Sequence, residues 1–338
     1  MDLSFYESTD LVRGLFQKRH GRELSTGKAR EIVSAVAQGR EYFSAAVDAG
    51  LLVRPVLQYY GGLALCRGLI LFLSPNLRET SLPPHHGLTP VGWGTLLTGD
   101  HIQPADLRVR VANGTFLSML EHTKNADLVA VFTGPYPTRI VSTRPWPTAT
   151  LNEVTFRELL SRICELRDVY EQSFGQLASN YNAFVFTHPS IQTDVDIFYG
   201  SCGLPPDEQL RRELSIPEDT VLRKSQYHNL SHQGRHVGYR LKHPGRADAL
   251  DLLPQIDNHE DGTMSVVVPF EGGFSLSRLA RFFLLSYFLG TLARYHPTSW
   301  LAIMQSRQRG DYMLPIIREA TNVLQRYFPA LVMEELER

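Results

Sequence analysis

The sequence predicts an α+β protein that is predominantly α-helical, with helices at both ends of the chain and a β-containing middle. Three observations lead there. The stretch 274–300, FSLSRLARFFLLSYFLGTLARYHPTSW, has no charge between Phe282 and Ala293 and is apolar all round a helical wheel, so it belongs inside a core. A second apolar helix is expected over Arg54–Leu73. Between them, 109–111, 128–132, 139–141, 180–186, 194–199 and 265–269 have the alternation or β-branched content of strands. Three parts follow: a helical 1–100, a mixed 101–262, and a helical 263–338 that packs with the first part as one core.

Residues 9–19 form a short first helix with Leu11, Leu15 and Phe16 on its apolar face, and 28–49 give one or two more. In 54–73, Pro55 suits the first turn. Gly61, Gly62, Ala64 and Gly68 leave one side slim enough for another helix, and the 274–295 helix is the expected partner. The loop SPNLRETSLPPHHGLTPVGWG carries His85-His86. No acid or third histidine lies at ligand spacing, so no metal is expected there. Residues 115–122 read as a short helix and 151–175 as one long helix. In the 274–300 stretch Ser275 is the expected N-cap and Pro297 the stop. A last helix covers 316–327, with Pro329 behind it.

The chain has 338 residues, 34 Lys and Arg against 35 Asp and Glu, and a net charge of −1, so any nucleic-acid site must be a local patch. Hydrophobic content of 43% with 20% charged residues describes an ordinary globule. Cys66, Cys164 and Cys202 are odd in number and widely spaced, which argues against a disulfide framework and suits a reducing cytoplasm. The first ten residues, MDLSFYESTD, lack the apolar run of a signal peptide. Twelve uncharged residues at 282–293 are too few for a bilayer, which needs about 20. No cofactor or membrane partner is expected. There is no Walker or dinucleotide loop and no GxSxG motif.

Residues 220–247 contain no acid but hold Arg223, Lys224, Arg235, Arg240, Lys242 and Arg246, interleaved with Tyr227 and Tyr239. Cations for phosphates and rings for bases make this a candidate nucleic-acid surface; the bland alternative is a solvated basic hairpin. His228, His232 and His236 recur every four residues, but Gly234 and Gly238 point to a strand or loop, which would scatter them. Two Arg/His pairs are candidates for metal-independent RNA cleavage, arginine steadying the phosphate and histidine moving the proton. One is Arg294 with His296, at the end of the apolar helix. The other is Arg223 with His228. Arg294 and His296 can equally cap last-turn carbonyls.

Several segments together resemble the YaaC-like family of bacterial proteins: REYFSAAVDAGLLVRPVLQYYGGLALCRGLILFL, the HHGL after it, PFEGGFSLSRLARFFLLSYFLGTLARYHPTSW and LQRYFPALV. The family's activity is poorly defined, so the resemblance implies little mechanism. A fainter likeness is to HEPN domains, helical bundles of toxin–antitoxin, phage-defence and RNA-processing systems. Tyr59, Tyr60 and His86 carry it, and it implies a HEPN-like helical core and a ribonuclease motif R-x4-6-H. Arg294 and His296 depart from that motif, Arg223 and His228 match its gap, and Arg13 and His20 are a further match. Together these readings predict RNA or nucleotide binding, or RNA cleavage in phage defence. The rival is a non-catalytic subunit that docks a protein partner or a second copy.

Overall fold

The computed structural model describes residues 2–98, 102–132, 137–142, 145–146, 148, 150–187, 192–198, 206–228, 235–244, 255–258, 264–305 and 311–338. Among them are eleven α-helices and eleven strands, which is the α+β, mainly helical class. The N-terminal helices are α1 (Thr9–His20), α2 (Thr26–Val47) and α3 (Arg54–Leu73). Serines cap the first two, Ser8 accepting from the Leu11 N–H and Ser25 from the Lys28 N–H. Helix α3 is long and apolar enough to cross a membrane, but 67% of its apolar window is buried within the protein. It is a core helix.

After α3 come β1 (Leu88–Val91), α4 (Trp93–Leu96), β2 (Arg108–Val111) and α5 (Thr115–His122). Then follow β3 (Leu128–Phe132), β4 (Pro137–Ser142), β5 (Glu153–Thr155), α6 (Phe156–Leu160) and α7 (Arg167–Phe174). The sequence reads 151–175 as one helix, and the structure divides it. The three-to-four spacing is real, because Phe156, Leu159, Leu160, Ile163, Leu166 and Tyr170 are all buried. But 153–155 pairs with β2, and the Glu158 carbonyl is taken by the Ser161 hydroxyl and the Arg162 guanidinium instead of by a continuing helix.

The middle continues with β6 (Asn180–Thr187), β7 (Gln192–Phe198), α8 (Asp207–Glu213), β8 (Val221–His228), β9 (Arg235–Pro244), β10 (Ile256–Asn258) and β11 (Met264–Val267). Strands β1, β2 and β5 make a small antiparallel sheet. The larger sheet runs β10-β11-β6-β7-β9-β8, with the β3–β4 pair joined to β6.

The chain returns to helices in α9 (Arg278–Tyr295), α10 (Pro297–Met304) and α11 (Leu314–Glu337). The cap of α9 is Ser277, accepting from the Ala280 N–H, two residues beyond the expected Ser275. Pro297 ends one helix by opening the next. Helix α11 does not stop at Pro329 but runs through it. An interior proline costs about 3 kcal/mol, and here burial of Phe328, Leu331, Val332 and Leu336 against the core offsets it.

Two clusters of buried side chains result. The larger draws on both chain ends and on residues 102–178 between them; the smaller packs α8 against the large sheet around Tyr239, Leu241 and Val266. The slim side of α3 faces partners other than the expected one. A Cβ at Gly61 would meet Phe43 of α2, one at Gly68 Val36 of α2, and one at Gly62 Phe328 of α11. Helix α9 does approach α3 closely, but through its own Gly290, where a Cβ would lie 2.6 Å from the Cβ of Tyr59.

The two clusters meet at a buried ion pair. Arg281 of α9 donates to both carboxylate oxygens of Asp257 in β10, at 2.7 and 2.6 Å, with both side chains 1% exposed. Burial alone would lower the Arg281 pKa; the charge and hydrogen bond of Asp257, with Cys164 and Asp127 adding to them, together outweigh it and keep the guanidinium protonated. Beside them, Asp127 accepts from the Arg278 backbone N–H, Trp146 and Gln255. Burial, reinforced by the Asp257 charge, pushes the Asp127 carboxyl up to about 6.

Candidate functional site

Helices α3 and α9 carry polar side chains on otherwise apolar bodies at spacings that keep them on one face: Tyr60 and Arg67, with Leu63 between them, on α3, and Tyr287, Thr291 and Arg294 on α9. These two faces and the loop around His85-His86 enclose a pocket of about 130 Å³. Tyr59, Pro84, Thr115 and Tyr295 complete its wall, and no carboxylate is among the described residues that line it.

The loop is held by backbone. The His85 and His86 carbonyls accept from the Thr115 and Phe116 N–H groups at 3.0 Å each, satisfying two donors that the start of α5 would otherwise leave open. The turn depends on two glycines. Gly87 sits at φ +79°, and a Cβ on Gly114 would lie 2.3 Å from the Gly87 nitrogen.

His86 is fixed in one tautomer. Its Nδ1 accepts the Leu88 N–H at 3.0 Å, so in the neutral ring the proton sits on Nε2. Burial, with the charge of His85 adding to it, lowers the His86 pKa and favours that neutral form. Its ring lies 4.9 Å from Tyr287 and edge-on to Tyr59. Tyr287 donates its hydroxyl to the Leu88 carbonyl at 3.0 Å. Among the described residues the Tyr59 hydroxyl has no hydrogen-bond partner, although the residue is only 6% exposed. Burial, followed by the nearby Tyr287 and Tyr295 hydroxyls, raises the Tyr59 pKa, so this group stays a donor. Arg294 is exposed, with its guanidinium 5.3 Å from the Tyr60 ring and 4.8 Å from the Tyr295 ring. Arg67 donates to the Pro83 carbonyl at 3.0 Å. The pocket therefore converges donors and cations from three separated segments.

Of the sequence candidates, Arg294 stands in this pocket with Tyr59, Tyr60 and His86. His296, two residues further, does not line it. It links α9 to α10, its N–H bonded to the Leu292 carbonyl and its own carbonyl to the Trp300 N–H, with the ring 5.7 Å from Trp93. Burial lowers its pKa. Arg13 and His20 bond the Leu24 and Phe72 carbonyls.

The basic stretch forms the β8–β9 hairpin at one edge of the large sheet. Arg223 and Lys224 are exposed, and Arg223 pairs in register with Arg240. Arg223 and His228 lie five residues apart on one strand, an odd spacing that puts the two positions on opposite faces. The Tyr239 ring is fully buried in the smaller core and its hydroxyl donates to Asp207, so it is out of reach of a base. Asp207 also lies 3.8 Å from the Lys224 ammonium, so α8 returns an acid to a stretch that has none in sequence. Tyr227, Arg235 and Lys242 have strand positions in register, and Arg246 lies outside the described residues. Among the described residues no three His, Cys, Asp or Glu side chains group as metal ligands.

Sequence reasoning missed Arg67, Tyr287 and Thr291. The signal was available as two polar stripes at helical spacing on the two most apolar helices. A family model described as YaaC-like Protein matches residues 4–336. No curated protein and no solved structure matches the chain, so the HEPN likeness rests on Tyr59, Tyr60 and His86 alone.

Proposed function

The chain belongs to the YaaC-like family, and on that premise we propose that it binds RNA or a nucleotide by gripping phosphate in the pocket between α3, α9 and the His85-His86 loop. The observation that carries this reading is that Arg67, Arg294 and Tyr59 line one pocket with no carboxylate among its described lining residues. Guanidinium donors match phosphate oxygens in charge and geometry. The Tyr60 and Tyr295 rings flanking Arg294 offer faces on which a base can stack.

Cleavage of RNA without a metal needs a base and an acid beside the cation. In this reading Arg294 is the cation. His86 is placed to donate from Nε2, but its Nδ1 lone pair is already engaged, so it is no base in this arrangement. His296 faces Trp93 instead. The geometry therefore supports binding ahead of cleavage, with the exposed Arg223 and Lys224 adding weaker phosphate contacts.

The test is incubation of the purified protein with labelled single-stranded RNA in EDTA at two salt concentrations. Binding that weakens steeply with salt, without cleavage, is expected. Arg294→Ala should weaken it about tenfold, the loss of one charge-assisted contact. Cleavage that survives in wild type and disappears in a folded His296→Ala variant would restore the Arg294–His296 pair as catalytic. No binding at low salt would sink the reading and leave the protein-interaction subunit.

A further inference from the structure

Resting on that reading, we propose that the pocket is a receptor for a terminal phosphomonoester, at an RNA end or on a free nucleotide, rather than for an internal phosphodiester. Three observations carry it.

The first is the kind of polar atom present. Arg67, Arg294, the Nε2–H of His86 and the Tyr59 hydroxyl all offer protons. A monoester presents three terminal oxygens and about −1.5 to −2 charge near neutrality. An internal diester presents two such oxygens and a single charge. Four donor-bearing residues lining one pocket fit the first better than the second.

The second is shape. The pocket is small, at about 130 Å³. Its inner wall is Tyr59, Tyr287, Thr291 and Thr115, all buried, whereas Tyr295 at 62% exposure and His85 lie at the mouth. A group entering there is closed in at the back. A phosphate with chain continuing on both sides would need two exits, and a chain end needs one.

The third is the Tyr59 hydroxyl. A buried donor without a partner destabilises a fold by about 1–3 kcal/mol. Gly290 lets α9 approach closely at the Tyr59 Cβ, and the ring lies edge-on to Tyr287. An oxygen brought by a ligand supplies the missing partner.

The experiment compares one labelled oligoribonucleotide carrying a 5′-phosphate, a 3′-phosphate, or hydroxyls at both ends, with a nucleoside monophosphate and inorganic phosphate as competitors. One phosphorylated form should bind about tenfold tighter than the hydroxyl form, as one further charge-assisted contact gives. Tyr59→Phe removes that single unpartnered oxygen, so it should melt no lower than wild type while shrinking that preference about three- to tenfold. Displacement by the nucleoside monophosphate at matching concentration would identify a free nucleotide as the source of the same chemistry, whereas displacement only by phosphorylated RNA would identify the RNA end. If the three oligonucleotides bind alike and Arg294→Ala weakens them all, end recognition is overturned and RNA binding stands. If neither RNA nor mononucleotide binds, both readings fall. An unchanged end preference in a folded Tyr59→Phe variant would also overturn the assignment.

Discussion

The pocket and the β8–β9 hairpin are both basic, and they are built in opposite ways. The hairpin gathers its cations in one run of sequence, and the fold then sets acidic positions beside them, Asp194 and Asp196 of β7 standing in register with Lys242 and Arg240. Arg223 and Lys224 stay in solvent, Asp207 approaches Lys224, and Tyr239 is drawn into the smaller core. The pocket takes Arg67, His86 and Arg294 from three distant segments and brings them together with no carboxylate among the lining residues. Charge density along a chain is thus a poor guide to a binding site; convergence after folding, in partly desolvated surroundings, is what strengthens each contact.

The most severe way to probe that contrast is to separate the bodies that carry the two features. Asp257→Ala leaves Arg281 buried and unpaired at the junction, a loss of about 3–5 kcal/mol. Hydrogen exchange should show β10, β11 and β6 losing protection before α3 does; simultaneous loss would mean the two clusters melt as one. Next comes Glu335 near the end of α11. Burial pushes its carboxyl up to about 7 against the opposing pull of Arg338, with Asp127 adding to the rise. A folded pKa above the unfolded value makes the folded state the stronger proton binder. That stability is fully present below about pH 4.5 and is lost as pH rises through 7. Glu335→Gln abolishes the linkage, so wild type should lose on the order of 2–3 kcal/mol relative to the variant between pH 5 and 8 in denaturant titrations. A pH-independent difference would show that Glu335 does not titrate there.

Smaller effects compare the two basic regions directly. Arg294→Gln should cut RNA affinity about tenfold, read by fluorescence anisotropy, with little change in melting because the side chain is exposed. Arg223→Gln and Lys224→Gln should each change affinity by no more than about twofold and lower the salt slope by about one. Should the hairpin variants outweigh Arg294→Gln, the comparison is inverted and the pocket is secondary.

Much of this fold is legible in the sequence. The apolar body of α9, the limits of α3 and α5, and most strands follow from periodicity, capping and β-branched content. The misreadings are specific. Periodicity cannot see that Ser161 and Arg162 claim the Glu158 carbonyl and so divide the 151–175 segment. Proline rules alone stop α11 at Pro329, because they omit the core that Phe328 and Leu336 fill beyond it. At the site, Arg294, Tyr59, Tyr60 and His86 are visible as motif residues, but their meeting is not, since it depends on Gly290 and on the Gly87–Gly114 contact. Arg294 and His296 look like partners in sequence. Two residues at a helix end, they turn to Tyr60 and to Trp93 respectively.

The way α3 is enclosed has a bearing on biosynthesis. Its neighbours α9 and α11 lie roughly 200 residues further along the chain, and at ~5–20 residues per second a ribosome takes about 10–40 s to supply them. During that interval the most apolar segment of the nascent chain has α2 on one flank and α5 on another, and the faces that α9 and α11 later cover stay open. It is an obvious station for a chaperone. Ribosome-bound chains arrested before residue 278 should be cut by protease near α3, and the same bonds should resist once α11 has emerged.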